Sequence, residues 1–428
     1  LSVTDSPSLV AINYLGTKIS RAREIVATGA ELADGMRMRL TDQEHNRVLL
    51  LKKLRASEPV ARTDLVKFTG LTGGTITAIT ADLVKRGIVI EEKVVSNAPG
   101  RPRVNLRINP EGKYVVGITA TNDGELLLEI VNLRGESLAV STALLTPTTS
   151  IADFARQFVA ALETAIAGWP VRREDIYRIG VGIPAVVDNR TGIVEQILTF
   201  EPGPCDFGGI VERALGIPTL VDNNINLLAR AEHWYGLGAQ LGDFTLINVD
   251  LGIGAALYRG GQLISGAHGI ASEFGHVKVV PDTGRLCHCG ARGCIQAYCS
   301  IHAIIRQACE RLGRAEPRYE EMGRFFEELM AEHAAAAIDI WPVLEQASHY
   351  LGVAVANHIT MQDPEAVILC GPPIAMMDKL RGTFFAALEQ NTFPTLRRRT
   401  KLYFKAWDKG AFARGAAAMV LEHLYSSA

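Results

Sequence analysis

Residues 272–296 read SEFGHVKVVPDTGRLCHCGARGCIQ, and the rest of the chain is best understood outward from them. His276 precedes a tight cluster of Cys287, Cys289 and Cys294, with Gly290 and Gly293 placed to turn the backbone. One imidazole and three thiolates form a donor set that suits tetrahedral zinc. Four protein ligands leave no position for water, so the expectation is a structural Zn(2+) rather than a hydrolytic one. Three thiols in a reduced protein can also fall together by chance, but the C-x-C-x4-C spacing, the glycine turns and the upstream Gly-His argue for a metal. His288 lies between two cysteines, at a spacing that does not help both.

The same residues carry a resemblance. SEFGH followed by CHCGARGCIQ resembles the signature of the ROK family of repressors and sugar kinases, in which Glu-(Ile/Phe)-Gly-His is followed by C-x-C-G-x-x-G-C-x-Glu. This chain departs from it at the last place, where Gln296 stands for Glu. The resemblance covers roughly residues 111 to 428. It implies a two-lobed actin-like ATPase fold with a ligand cleft between the lobes.

A chain of 428 residues exceeds the usual single core, so two or three domains are expected. No apolar run approaches the roughly 18 residues of a membrane span, and no secretory pattern opens the chain. A cytoplasmic protein is expected. Seven cysteines, an odd number with three clustered, favour a reducing compartment and a metal, with Cys205, Cys299, Cys309 and Cys370 as buried thiols. The net charge is only −2, so any contact with nucleic acid must come from a local basic surface.

Residues 1–40 form an extension, polar at LSVTDSPS and helical-looking around Ile19–Met38, which suits either an arm or a packed helix. From Thr41 the pattern becomes regular. Val48, Leu49, Leu51 and Leu54 predict a stripe on a first helix. Ala61–Phe68 gives a second, ended by Gly70, and Thr72 caps a third that runs to Arg86 and stops at Gly87. On the third helix Ile76, Ile79 and Leu83 should face inward. Gly73, Gly74, Thr75, Thr77, Ala78, Thr80 and Ala81 then face outward, small enough for the helix to sit deep in a major groove.

Ile88–Val95 and Val104–Ile108 alternate around SNAPGRPR and predict a hairpin wing. Residues 41–107 hold 12 Lys and Arg against 7 Asp and Glu, a balance of +5 where DNA would be met. The expected DNA-binding residues are Thr72, Gly73, Gly74, Thr75, Thr77 and Ala78, with Arg101 and Arg103 on phosphates or in a narrow minor groove. The plainer alternatives are a solvated turn at Gly100–Arg103 and a three-helix protein-interaction domain.

After Asn109-Pro110, strands Tyr114–Ala120 and Leu126–Val131, helix Ile151–Ile166 and strand Ile179–Ile183 alternate. A second round follows at Thr245–Val249, Ala255–Tyr258 and Ala366–Leu369, closed by a helix over Ala411–Tyr425. The expected fold class is α/β: an N-terminal winged helix-turn-helix (41–110) and a two-lobed actin-like domain (111–428).

The resemblance also poses a question about chemistry. Family kinases open the first lobe with Asp-x-Gly-Gly-Thr, whereas Thr119-Ala120-Thr121-Asn122-Asp123 lacks the glycine pair that brings backbone amides to a phosphate. Gly252 and Gly254 keep the second cradle, behind Asp250 and Leu251. Val221-Asp222-Asn223-Asn224-Ile225-Asn226 resembles the family's Glu-Asn-Asp-Ala-Asn and puts Asn224 where the kinases carry the catalytic aspartate. An amide is no general base. By the resemblance Asn223, Asn224, Glu273, His276 and Gln296 contact a sugar, and His276 also serves the metal. Gln for Glu and Asn for Asp each remove a negative charge, which suits a ligand with an anionic group or fewer donor hydroxyls.

The expected function is a DNA-binding regulator, a repressor of carbohydrate genes, with a carbohydrate-like effector in a catalytically disabled cleft. It would act on operator DNA as a homodimer or homotetramer. Two alternatives stand: a sugar kinase with an accessory DNA-binding domain, and a regulator answering to a protein partner at the Phe325–Ala337 helix or the final helix.

Overall fold

The computed structural model describes residues 42–93, 104–121, 124–197, 200, 203–376, 380–406 and 408–427. The extension at 1–40, Arg101 and Arg103, and Asn122-Asp123 lie outside the described residues.

The N-terminal unit has α1 (Asp42–Ser57), β1 (Val60–Ala61), α2 (Arg62–Thr69), α3 (Gly73–Lys85), β2 (Val89–Lys93) and β3 (Val104–Ile108). Gly70 ends α2 at φ 73° with its N–H on the Val66 carbonyl, and the Thr72 hydroxyl caps α3 by accepting the Thr75 N–H at 3.2 Å. Gly73 and Gly74 therefore belong to the first turn of α3. Strands β2 and β3 pair antiparallel from Val89–Ile108 to Lys93–Val104, and β1 joins the other edge of β3. Two details differ from the sequence reading. Leu50, Leu51 and Leu54 form the buried stripe of α1, with Val48 and Leu49 only half-buried, and Thr80 is fully buried. The Thr80 hydroxyl accepts the Arg62 Nε–H at 2.9 Å and donates to the Thr77 carbonyl, which satisfies it inside the core.

The first lobe is a five-stranded sheet ordered β10-β7-β4-β5-β6, formed by β4 (Tyr114–Ala120), β5 (Glu125–Asn132), β6 (Ser137–Leu144), β7 (Ile176–Ile183) and β10 (Thr219–Asn223). Helices α4 (Ile151–Gly168) and α5 (Phe207–Leu215) pack on it, and a small ribbon of β8 (Val186–Asp188) and β9 (Ile193–Gln196) lies beside it. Helix α6 (Asn224–Tyr235) leads to the second lobe. That lobe is ordered β13-β12-β11-β14-β15, from β11 (Phe244–Val249), β12 (Ile253–Arg259), β13 (Gln262–Leu263), β14 (Ala366–Cys370) and β15 (Lys401–Phe404). Its helices are α7 (Gln296–Cys299), α8 (Ile301–Leu312), α9 (Met322–Ala334), α10 (Trp341–Gln362), α11 (Arg381–Asn391) and α12 (Pro394–Arg397).

The final helix, α13 (Ala411–Ser427), is the spine of the molecule. Its small residues let it lie on the first sheet: a Cβ on Gly180 would meet the Ala416 carbonyl at 2.1 Å, and a Cβ on Gly415 would meet the Leu227 carbonyl of α6 at 1.9 Å. Its outer end joins the N-terminal unit in one core, where Leu50, Leu54, Leu106 and Ile108 meet Val420, Leu421 and Leu424. This helix is covered by the chain itself and is not the open contact surface the sequence suggested. Helix α9 buries Phe326, Leu329 and Met330 in the second lobe and leaves Arg324, Glu327 and Glu328 exposed.

Candidate functional site

A cleft of about 1010 Å³ opens between the lobes, and Asn223, Asn224, Glu273, His276 and Gln296 all line it. The first wall is the junction of β10 and α6. Asn223 caps the helix, its Oδ1 accepting the Ile225 N–H at 2.8 Å while its Nδ2 donates to the Ala185 carbonyl at 2.6 Å. Both ends of that amide are already engaged. Asn224, the next residue, is 8% exposed, and its side-chain amide has no hydrogen-bond partner among the described residues. Asp222, the stretch's one carboxylate, takes no part in the lining. It accepts from the Asn223 N–H and Asn226 Nδ2 and pairs with Arg230 at 3.1 Å.

The second wall is the short turn Phe274–His276. Phe274 is buried and anchors it, and Gly275 permits the contact behind, where a Cβ would meet the Ile253 carbonyl at 2.3 Å. Glu273 Oε2 lies 3.7 Å from His276 Nε2, and His276 Nδ1 lies 3.6 Å from Cys287 Sγ. His276 thus faces the cleft with one nitrogen and the cysteines with the other. Gln296 is held by the Ile253 N–H at 3.4 Å and by His288 Nδ1 at 3.1 Å from its Nε2. His288 lines the cleft as a partner of Gln296 and is not one of the clustered ligands.

The ligand atoms of His276, Cys287, Cys289 and Cys294 all lie within 4.8 Å of one another and could hold a metal ion. A tetrahedral site with zinc–sulfur bonds of about 2.3 Å and zinc–nitrogen bonds of about 2.05 Å requires S–S separations of about 3.8 Å and S–N separations of about 3.6 Å. Cys289 and Cys294 are 3.7 Å apart, and Cys287 and His276 Nδ1 3.6 Å. The residues fit the ion. Burial pushes the Cys287 thiol up to about 12. The Cys289 thiol is lowered: burial opposes this, but the Ala291 N–H, the neighbouring thiols and the Lys278 ammonium prevail. Lys278 Nζ donates to Cys294 Sγ at 2.7 Å. Of the other cysteines, Cys299, Cys309 and Cys370 are buried and Cys205 is only half-buried.

Three carboxylates, Asp250, Glu273 and Glu320, line the cleft, and among the described residues no lysine or arginine does. Of the two expectations, this described lining favours a ligand with fewer donor hydroxyls over an anionic one, which would meet like charge. Glu320 was missed by the sequence reading, and Asp250, from a segment far from it in the chain, was read only as the residue ahead of the second glycine cradle. Only contact in the folded chain brings them to one place.

At the other end of the molecule, α3 shows Thr72, Gly73, Gly74, Thr77 and Ala78 to solvent, with Thr75 half-exposed. Their hydroxyls are locally engaged, Thr72 with Thr75 at 2.8 Å and Thr77 with the Gly73 carbonyl at 2.8 Å. Much of the local positive charge is paired, as in Arg47–Asp82 at 2.9 Å, Arg62–Glu91 and Arg86–Asp82. Lys52, Lys53 and Lys85 are exposed and make no ion pair among the described residues.

The chain is 24% identical over 391 residues to a xylose repressor of Caldicellulosiruptor bescii, covering 89% of this chain and 96% of that one. It is 28% identical over 232 residues to a glucokinase of Halalkalibacterium halodurans, covering 52% of this chain and 68% of that one. A crystal structure described as a ROK family transcriptional regulator, a homologue of the E. coli MLC protein, superposes with a TM-score of 0.77 at 26% identity, covering 90% of this chain and 97% of that one. The ROK family model matches residues 125–423, which span both lobes, the cleft and the His/Cys cluster, and the chain belongs to the ROK family.

Proposed function

We propose that this protein is a DNA-binding transcriptional repressor of carbohydrate uptake or catabolism genes, whose operator affinity is set by a sugar or sugar derivative in a cleft that does not transfer phosphate. One observation carries the reading: an exposed recognition helix and the sugar-kinase-like cleft belong to one continuous chain that runs through 96% of a xylose repressor's length. Asn224 stands where a kinase needs its base, and an amide cannot take the proton of an attacking hydroxyl.

In this reading the unpartnered amide of Asn224, with Glu273, His276 and Gln296, takes the hydroxyls of a neutral sugar or the ammonium of an amino sugar. Zinc on His276, Cys287, Cys289 and Cys294 is structural and holds the second wall in register. Residues Thr72–Thr75, Thr77 and Ala78 meet base edges, with Arg101 and Arg103 on phosphate or in the minor groove. A homodimer or homotetramer on paired half-sites, working in the cytoplasm, completes it.

The kinase alternative has its own support in the 28% identity to a glucokinase. One experiment separates the two: binding of the purified protein to fragments of its own genome at fixed salt, with and without sugars, amino sugars, sugar acids and polyols. Selective fragments released by one neutral or amino sugar are expected. ATP consumption with a sugar and no selective binding would put the kinase first. Selective binding indifferent to every compound would favour a protein as the input.

A further inference from the structure

Helix α6 touches both functional ends of the molecule. Its twelve residues span about 18 Å. At its N-terminus Asn223 caps it and the unpartnered amide of Asn224 lines the cleft. At its C-terminus the Trp234 ring receives the Arg55 guanidinium at 3.6 Å, and Arg55 lies in the last turn of α1, the first helix of the N-terminal unit. Between them runs a partly buried polar chain. Asp222 pairs with Arg230, Arg230 pairs in turn with Glu422 of α13, and Glu422 accepts from Trp234 Nε1 at 3.0 Å and from the Tyr258 hydroxyl at 3.3 Å.

We propose that α6 is the transmitter between cleft and DNA-binding unit, with Arg230 and Trp234 as its positioning residues: a molecule seated against Asn224 resets the seat of Arg55. Each member of the chain has at least two partners, so a shift at one end is not absorbed by a single rotating side chain. The backbone is constrained as well, because α6 and α13 touch at Leu227 and Gly415 with no room for a Cβ. Close-packed interiors move as units rather than deform smoothly. Helix α1 rests on α13 through Leu50 and Leu54 and on α6 through Arg55, so a tilt of α6 that carries α13 with it shifts both of its supports. The proposal takes from the sugar-responsive reading only what enters the cleft.

Amide hydrogen exchange in the full chain tests the transmission without sugar or operator. Residues 46–57 report on α1, and the strand at 366–370 gauges global stability. Asn224→Ala is expected to speed exchange in 46–57 by about fivefold or more relative to the gauge. Asn224→Asp, which keeps the size, takes its place should alanine also loosen the gauge strand. Trp234→Phe keeps a ring for Arg55 but loses the bond to Glu422. It lies ten residues, about 15 Å, from Asn224, beyond the roughly 7–10 Å within which substitutions usually couple. A double variant whose effect on 46–57 equals that of one substitution alone is the expected result. Unchanged exchange in 46–57, or effects that simply multiply, overturns the proposal. Calorimetry with D-xylose and D-glucose forms a separate arm. A sugar that binds and alters 46–57 supports both readings; one that binds and leaves 46–57 unmoved overturns the transmitter alone. Absence of binding by either, beside an intact Asn224 effect, supports the transmitter and counts against these two sugars as input.

Discussion

The two walls of the cleft are built from different chemistry. The β10–α6 wall offers amides, Asn223, Asn224 and Asn226, and keeps its single carboxylate, Asp222, turned inward against Arg230. The Phe274–His276 wall offers ionisable groups, Glu273 and His276, backed by three cysteines. The carboxylate on the first wall holds the structure together, and in the proposed reading the amide of Asn224 stands where phosphoryl transfer would need a base. The second wall presents the groups that, in the proposed reading, grip a polyhydroxyl ligand. If the proposed reading holds, binding and turnover separate along this cleft, and each wall can be tested by itself.

The largest effect is expected behind the second wall. Cys289 is the exposed member of the cluster, while Cys287 and Cys294 are buried. Cys289→Ser should abolish zinc binding, which in small structural sites is worth about 10 kcal/mol or more. Metal content by elemental analysis should fall to background, and the release of operator DNA by sugar should vanish with it. A metal-free variant that still answers to sugar would separate the wall from the metal and break the comparison.

Glu273 comes next. Its side chain is 55% exposed and sits on the cleft side of His276, so removing its charge touches ligand more than core. Charge-assisted hydrogen bonds contribute about 1.5–3 kcal/mol, so Glu273→Gln should weaken sugar binding by about tenfold to a hundredfold in calorimetry. The melting temperature should hold. An equal loss of stability and affinity would make Glu273 a structural residue like Asp222.

The His/Cys cluster was legible in the sequence because its ligands lie within 19 residues and their chemistry is selective. Helix α3 was legible because Thr72, Gly70 and Gly87 punctuate it and Ile76, Ile79 and Leu83 keep the helical period. Three features were hidden. The edge strand Ser137–Leu144 inverts the usual pattern, with Val140 and Leu144 exposed and Ala139 and Ala143 turned inward, so its larger apolar residues point the wrong way. The final helix carries alanines on several faces because it is packed on several, which blurs any amphipathic stripe. The acidity of the cleft comes from Asp250, Glu273 and Glu320, whose meeting depends on tertiary contacts that no local spacing encodes.

The support behind the second wall is pH-sensitive by virtue of His358. Burial pushes its imidazole down to about 4; its Nε2 shares a 2.7 Å hydrogen bond with the Thr245 hydroxyl, and its ring meets the Phe274 ring edge-on at 5.7 Å. The folded protein keeps this histidine neutral, whereas the unfolded chain takes up a proton below about pH 6.5. Its contribution is therefore whole above that pH and is lost as the pH falls toward 4. By pH 5 the loss is about 2 kcal/mol. The drop in melting temperature between pH 7 and 5 should shrink in His358→Asn. An unchanged drop would mean that other groups govern this wall.

The smallest effect is expected on the first wall, where a single neutral amide meets the ligand. A neutral hydrogen bond contributes about 0.5–1.5 kcal/mol, so Asn224→Ala should weaken sugar binding by about twofold to tenfold, less than Glu273→Gln. Asn224→Asp asks the sharper question, because it returns a carboxylate to the position where a kinase carries one. It should yield no phosphoryl transfer to sugar in a coupled assay. A base is useful only if the phosphates are also held, and Thr119-Ala120-Thr121-Asn122-Asp123 lacks the glycine pair that would bring backbone amides to them. Should that one substitution produce turnover, the departure from kinase chemistry would reside in Asn224 alone, and the rest of the cleft would have to be read as a nucleotide site waiting for its base.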